Sequence, residues 1–233
     1  MEVIILAGGL GTRLKHLLND KPKALANIND KPFLEYLLNF LQKNGVNKYI
    51  FSLGYLNEQI IFYLKTNWSN LEYKIIIEDH PLGTGGAIKK AMLNSTEEDI
   101  LIVNADTYLD LDLFKFRTFH LMKNSDCTIA IKEMIDFERY GSVDIDDQSR
   151  IISFREKKFI KRGLINGGFI YLKKYSLNKF DMPEEFSFEK DFLEKRLNEI
   201  NIFGFLSDNY FIDIGVPLDY AKAQVDFKNF FNN

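Results

Sequence analysis

Three glycines within four positions, Gly8, Gly9 and Gly11, follow closely on the apolar run Val3-Ile4-Ile5-Leu6, and Arg13 comes two residues later. Backbone so freed of side chains can curl until several N–H groups point at one anion, and a guanidinium adds a fixed, forked cation. The stretch Leu6, Ala7, Gly8, Gly9, Gly11, Thr12 and Arg13 therefore has the composition of a phosphate cradle; a plain strand-to-helix turn needs one or two glycines and no arginine. It is not a Walker A loop, because no Gly-Lys-Ser/Thr closes the run. It is not a dinucleotide fingerprint either: Leu14 stands where a third glycine must admit close helix–strand packing.

Two acids offer complementary chemistry. Asp106 follows the apolar run Ile100-Leu101-Ile102-Val103, and Asp213 closes the aromatic run Tyr210-Phe211-Ile212. Strand C-terminal ends face the ligand crevice in an open α/β sheet. Either acid alone would serve equally well as a turn or helix cap. As a pair at matching strand ends they point to one hard cation shared with phosphate oxygens, which suits Mg2+.

The elements that must carry these groups alternate in the first half of the chain, where short β-rich runs (Val3–Leu6, Tyr49–Leu53, Tyr73–Ile77, Ile100–Val103) are separated by amphipathic stretches (Phe33–Asn44, Asn57–Lys65, Gly83–Leu93). Pro32 starts the first of these helices and Gly45 stops it. Such alternation builds βαβ units into a mostly parallel sheet, an α/β architecture. Later runs at Cys127–Lys132, Gly141–Ile145, Ile151–Phe154 and Phe169–Leu172 lack intervening helices and read as antiparallel. Phe188–Ile200 reads as a helix, Tyr210–Ile214 as a strand, and the segment from Pro217 as a closing helix with Leu218, Ala221 and Val225 on one face.

Bulk properties narrow the partners. The chain has 233 residues, 46% hydrophobic, enough for one sizeable core and one domain, with a nucleotide part at about 1–110, a sugar-phosphate part at about 111–215 and the closing helix at about 217–231. A formal charge of −3 with interspersed signs gives no field to hold nucleic acid. No run approaches membrane-spanning length, no secretory signal opens the chain, and the single Cys127 excludes an internal disulfide; a cytoplasmic setting is expected. Nothing in the pattern decides between a monomer and a homo-oligomer.

The run Leu6-Ala7-Gly8-Gly9-Leu10-Gly11-Thr12-Arg13-Leu14, followed by Lys21-Pro22-Lys23-Ala24-Leu25, resembles the signature of the sugar-1-phosphate nucleotidyltransferases, and the resemblance runs through the whole chain. Gly83-Thr84-Gly85-Gly86-Ala87-Ile88 and the ending Asp213-Ile214-Gly215-Val216-Pro217-Leu218-Asp219-Tyr220 resemble its D-glycero-D-manno-heptose 1-phosphate guanylyltransferase branch. The resemblance implies a Rossmann-like nucleotidyltransferase fold: a mixed, mostly parallel central sheet flanked by helices, with a small antiparallel sugar-binding lobe. It implies an enzyme that joins GMP from GTP to a sugar 1-phosphate, a heptose 1-phosphate for this branch, and releases pyrophosphate, giving an activated sugar for surface polysaccharide.

The resemblance also assigns roles to residues, among them Lys23, Glu156 and Lys157, which composition alone would leave on a solvated surface. It places Lys23 on the nucleotide phosphates, Asp106 and Asp213 on the metal, and Glu156 and Lys157 on the sugar hydroxyls and the sugar's own phosphate. It makes Tyr140, Gly141, Asn166, Gly167 and Gly168 the remaining sugar contacts, where turns would otherwise suffice. Glu78 and Asp79, just before Gly83 and Thr84, fall where relatives read the base. Guanine offers adjacent N1–H and N2–H donors that a carboxylate can accept together, whereas uracil and thymine flank one N–H with two carbonyls. A carboxylate here favours GTP, unless backbone groups do the reading.

Three other readings fit parts of the pattern: the same reaction with UTP, dTTP or CTP and a hexose 1-phosphate; a non-catalytic regulator binding nucleotide or sugar phosphate; and a nucleotide-sugar glycosyltransferase. Asp110-Leu111-Asp112 has the Asp-x-Asp pattern of the last, but it lies past the strand end and reads as a helix start. A pure binder would not need Arg13, Lys23, Asp106, Lys157 and Asp213 together.

Overall fold

The computed structural model describes residues 1–9, 11–18 and 20–231, without the side chains of Thr12 and Lys15. Leu10 and the Thr12 side chain, both within the glycine loop, thus lie outside the described part. In chain order the elements are β1 (Glu2–Ala7), α1 (Lys15–Leu18), β2 (Asn27–Ile28), β3 (Lys31–Pro32), α2 (Phe33–Lys43), β4 (Lys48–Leu53), α3 (Asn57–Asn67) and β5 (Glu72–Ile77). There follow α4 (Gly83–Met92), β6 (Asp99–Asn104), β7 (Thr107–Leu109), α5 (Leu113–Met122), β8 (Cys127–Phe137), β9 (Ser142–Ile145), β10 (Ile151–Arg155) and β11 (Ile160–Lys173). The chain ends with α6 (Lys174–Asn178), a π-helical segment Phe188–Glu194, β12 (Ile202–Leu206), β13 (Phe211–Asp213) and α7 (Pro217–Phe231).

Nine strands form one sheet among the described residues. Its parallel part, in the order β6-β1-β4-β5, is the one read from the sequence, with Val3, Ile4 and Ile5 fully buried at its centre. Helices cover both faces, as parallel strands require. On one face, α2 buries Phe33, Leu34, Leu37, Leu38 and Leu41, the spacing of a single helical stripe. On the other, α4 brings Ile88, Ala91 and Met92 against Ile4, Ile50 and Ile102. No described helix is long and apolar enough to cross a membrane.

β11 joins this sheet to the antiparallel region. Its second half pairs with β6 (Phe169↔Val103 to Lys173↔Asp99), and its first half pairs with β8 and β9, with a register break between Asn166 and Ile170. β7 and β13 form a separate antiparallel pair that holds Asp213 opposite Thr107.

The structure corrects three sequence expectations. Phe188–Ile200 is not one regular helix: Phe188 and Phe192 stack at 5.4 Å, pinning a π-helical turn, and the chain then turns from Lys195 so that Arg196 lies over Phe180. The stripe Leu218, Ala221, Val225 of α7 faces outward, with Leu218 83% and Val225 63% exposed. The buried face is Ala223 and Phe227 instead, because the Phe227 ring meets Phe33, Tyr36, Tyr108 and Tyr210. Finally, Asp106 does not close its strand; β6 ends at Asn104, and Asp106 sits in the turn to β7.

Candidate active site

The C-terminal ends of β1, β4, β5 and β6 open on one edge of the sheet, and a cleft of about 610 Å³ lies there. Leu6, Ala7, Gly8, Gly9, Lys23, Glu78, Asp79, Gly83, Thr84 and Asp106 line it, all of them residues singled out from the sequence. Gly54, Tyr55, His80, Pro81, Ala87, Asn104 and Ala105 line it as well and were not foreseen. Gly11 stands beside Lys23, since a Cβ built on it would lie 3.7 Å from the Lys23 Cβ; Arg13, in the short turn Thr12–Leu14, is exposed.

The glycines of the loop answer to close approaches. A Cβ on Gly54 would stand 2.8 Å from the carbonyl oxygen of Gly8, and one on Gly8 would stand 2.4 Å from Oε1 of Glu78. The loop after β4 therefore backs directly onto the glycine loop, and the Glu78 carboxylate leans against it. Ser52 donates its hydroxyl hydrogen to Oε1 of Glu78 at 3.2 Å, which fixes that carboxylate inside the cleft. Asp79 differs from its neighbour: Lys90 holds it at 3.1 Å on the exposed rim.

Lys23 forms an ion pair with Asp106, both side chains being mostly withdrawn from water. Thr107 donates from Oγ1 to Oδ1 of Asp106 at 3.2 Å, and the amide of Gly215 donates to Oδ1 of Asp213 at 2.7 Å. Burial, then the charge of Asp106, push the Asp213 carboxyl up to about 6, while Lys23, the Gly215 amide and Arg139 pull it back. Asp106 and Asp213 are thus two carboxylates held side by side, with the raised one, Asp213, lacking an ion pair of its own among the described residues. Their hard oxygen donors fit a divalent metal. No group of three or more potential protein ligands occurs among the described residues, so substrate oxygens and water would complete such a site.

Of the residues expected around the sugar, Tyr140, Asn166, Gly167 and Gly168 form a second wall about β7 and β13, and none of them lines the 610 Å³ cleft. Tyr140 packs against Phe211 at 6.0 Å, and burial followed by the Asp213 charge holds its phenol well above the ordinary range. Arg139 donates to the Tyr140 hydroxyl at 3.0 Å and forms an ion pair with Asp219 in the first turn of α7. Asn166, Gly167 and Gly168 occupy the register break of β11, where Asn166 Oδ1 accepts from the Gly168 amide at 2.9 Å and Gly168 abuts Thr107. Glu156 and Lys157 lie on the exposed rim beyond β10 and outside the 610 Å³ cleft, with Glu156 72% exposed and paired with Lys190 at 2.7 Å.

A sheet opening on a glycine loop, a lysine and two facing aspartates defines a phosphate-handling, nucleotide-binding class of protein. The chain belongs to the Nucleotidyl transferase family, whose sequence model matches residues 2–229. It is 45% identical over 230 residues to the D-glycero-alpha-D-manno-heptose 1-phosphate guanylyltransferase of Aneurinibacillus thermoaerophilus, covering 99% of this chain and 100% of that one. Its identity to the enzyme of the same name from Campylobacter jejuni is 46%, over 94% and 97% of the two chains. The crystal structure of HddC from Yersinia pseudotuberculosis complexed with GMP-PN superposes with a TM-score of 0.86 at 42% identity, over 97% and 99% of the chains. A putative glucose-1-phosphate thymidylyltransferase from Bacillus anthracis, 16% identical with a TM-score of 0.82 over 97% and 94% of the chains, shares the fold.

Proposed function

We propose that this chain transfers GMP from GTP to D-glycero-α-D-manno-heptose 1-phosphate, with Mg2+, and releases pyrophosphate. Lys23 and Asp106 on the lining of the glycine-loop cleft, with Asp213 brought beside them, carry the reading; the full-length relatives direct it to this sugar and base.

An oxygen of the sugar 1-phosphate attacks the α-phosphorus of GTP in line; the new P–O bond forms as the bond to the bridging oxygen of the β-phosphate breaks, and pyrophosphate leaves on the opposite side. The nucleophile is already ionised at neutral pH, so the site needs no general base. Its task is to offset repulsion between two anions. Amides of Gly8, Gly9 and Gly11 with Arg13 hold the triphosphate, Lys23 neutralises the α-phosphate, and Lys157 brings in the sugar's phosphate. Asp106 and Asp213 would hold Mg2+, which supplies charge neutralisation at the phosphates when bound. Glu78, fixed by Ser52, accepts the N1–H and N2–H of guanine, next to Asp79, Gly83 and Thr84. Tyr140, Gly141, Glu156, Asn166, Gly167 and Gly168 receive the sugar. The parts at about 1–110 and 111–215 then act as two walls of one domain, working in the cytoplasm where GTP is made, toward surface polysaccharide.

Pyrophosphate release with a matrix of GTP, UTP, dTTP and CTP against heptose and hexose 1-phosphates, with and without Mg2+, tests the reading. GTP with the heptose 1-phosphate should be the best pair and should require the metal. Equal rates across triphosphates, or release without a divalent ion, would refute it.

A further inference from the structure

Glu189 stands where the two walls meet. The residue before it, Phe188, donates its amide hydrogen to Oγ1 of Thr84 at 3.1 Å, which ties the π-helical segment to the nucleotide wall. On the other side a Cβ built on Gly141 would lie 3.7 Å from Oε1 of Glu189, which puts the carboxylate against the sugar wall. Burial, then the charge of Glu194, raise this carboxyl above its ordinary range, while Lys157 and Lys190 pull it down.

A half-buried carboxylate such as Glu189 normally accepts several hydrogen bonds from its surroundings. Among the described residues none donates a hydrogen bond to either oxygen of Glu189. Neither oxygen is sealed in: the one side-chain polar atom both buried and without a partner among the described residues is Nε of Arg196. Glu156, which the sequence put forward as the acceptor of sugar hydroxyls, is instead engaged by Lys190 on the exposed rim. Sugar hydroxyls are donors of the kind Glu189 lacks.

We propose that Glu189 is a specificity-determining contact of the sugar 1-phosphate site, its carboxylate accepting hydroxyl hydrogens from the bound sugar while the neighbouring Lys157 meets the phosphate. This rests on the sugar 1-phosphate reading given above.

Calorimetric titration of the whole protein with heptose 1-phosphate and, separately, with GTP and Mg2+ tests it without depending on turnover. Glu189→Gln keeps the shape of the side chain and removes its charge. It should weaken sugar 1-phosphate binding by about tenfold or more, the range expected for lost hydrogen bonds to a charged group, and change GTP binding less than about twofold. Deoxy analogues should locate the bonded hydroxyl, as the analogue lacking it should bind the unmutated and E189Q proteins alike. Unchanged sugar affinity, or equal weakening for both ligands with a lowered melting temperature, would overturn the inference, as would a fall in kcat at constant sugar affinity, which marks a residue that merely positions Lys157. An unmutated protein that binds the sugar phosphate but releases no pyrophosphate refutes the transferase reading alone; one that does not bind it overturns both.

Discussion

The amide of Ile214 donates to the carbonyl of Asp106 at 3.0 Å, and through that bond the end of β13 delivers Asp213 to the side of Asp106. The two acids are 107 positions apart in sequence, yet one backbone hydrogen bond and the Asp213↔Thr107 register set their juxtaposition. Lys23 completes the group from the first wall.

Lys23→Ala and Asp106→Ala should each lower pyrophosphate release by about two orders of magnitude or more, as expected for groups that act on developing phosphate charge. Circular dichroism melts should show both variants folded, because the pair sits at a cleft mouth rather than in a core. Release near the unmutated rate in either variant would remove these residues from the mechanism.

Asp213 should make the metal-free protein less stable as the pH rises. Its folded-state carboxyl is raised to about 6 from an ordinary 3.8, so the stabilising contribution is complete below about 4 and lost as the pH climbs through 6. In the presence of a chelator, Asp213→Asn should therefore raise the melting temperature by several degrees at pH 7.5 and leave it unchanged near pH 4. A gain of the same size at both values would show that the carboxyl carries no such penalty.

Glu78→Gln should reduce the preference for GTP over UTP by about tenfold or more, because an amide cannot accept from both guanine donors yet suits the uracil edge. Ratios of kcat/KM for the two triphosphates measure it directly. Unaltered discrimination would move base reading to backbone groups.

Phe227→Ala should cost about 3–5 kcal/mol of stability, since a fully buried ring among five other aromatics leaves a cavity. Leu218→Ala, on the outward face, should change it by less than about 0.5 kcal/mol. Denaturant unfolding of the two variants checks which face of α7 the core holds.

The parallel half of the fold was legible because buried strands write themselves as Val/Ile runs and α2 as a clean helical stripe. The glycine loop was legible for a similar reason, since its function demands unusual local composition. Gly54 was not: its lack of a side chain matters only because Gly8 lies behind it, a neighbour 46 positions away. Ser52 escaped notice in the same way, as a strand serine whose partner Glu78 comes from the next strand over. The face of α7 was misjudged because Leu218, Ala221 and Val225 have helical spacing, while the rings that claim Phe227 come from β7, α2 and the approach to β13. Glu189 carried no local signal at all; only the packing of its segment on α4 and the β8–β9 loop gives it a role.

β11 passes from the parallel sheet into the antiparallel region as one strand, paired with β6 over Phe169–Lys173, with β9 at Leu164 and Ile165, and with β8 on both sides of its register break. A continuous strand so laddered is a beam, not a hinge. On the reading proposed above, the two substrate sites are therefore mounted on a common chassis. On that reading, adjustment on binding falls to rim side chains such as Glu156 and Lys190, whose exchange would retune the choice of sugar while leaving the line of attack unaltered.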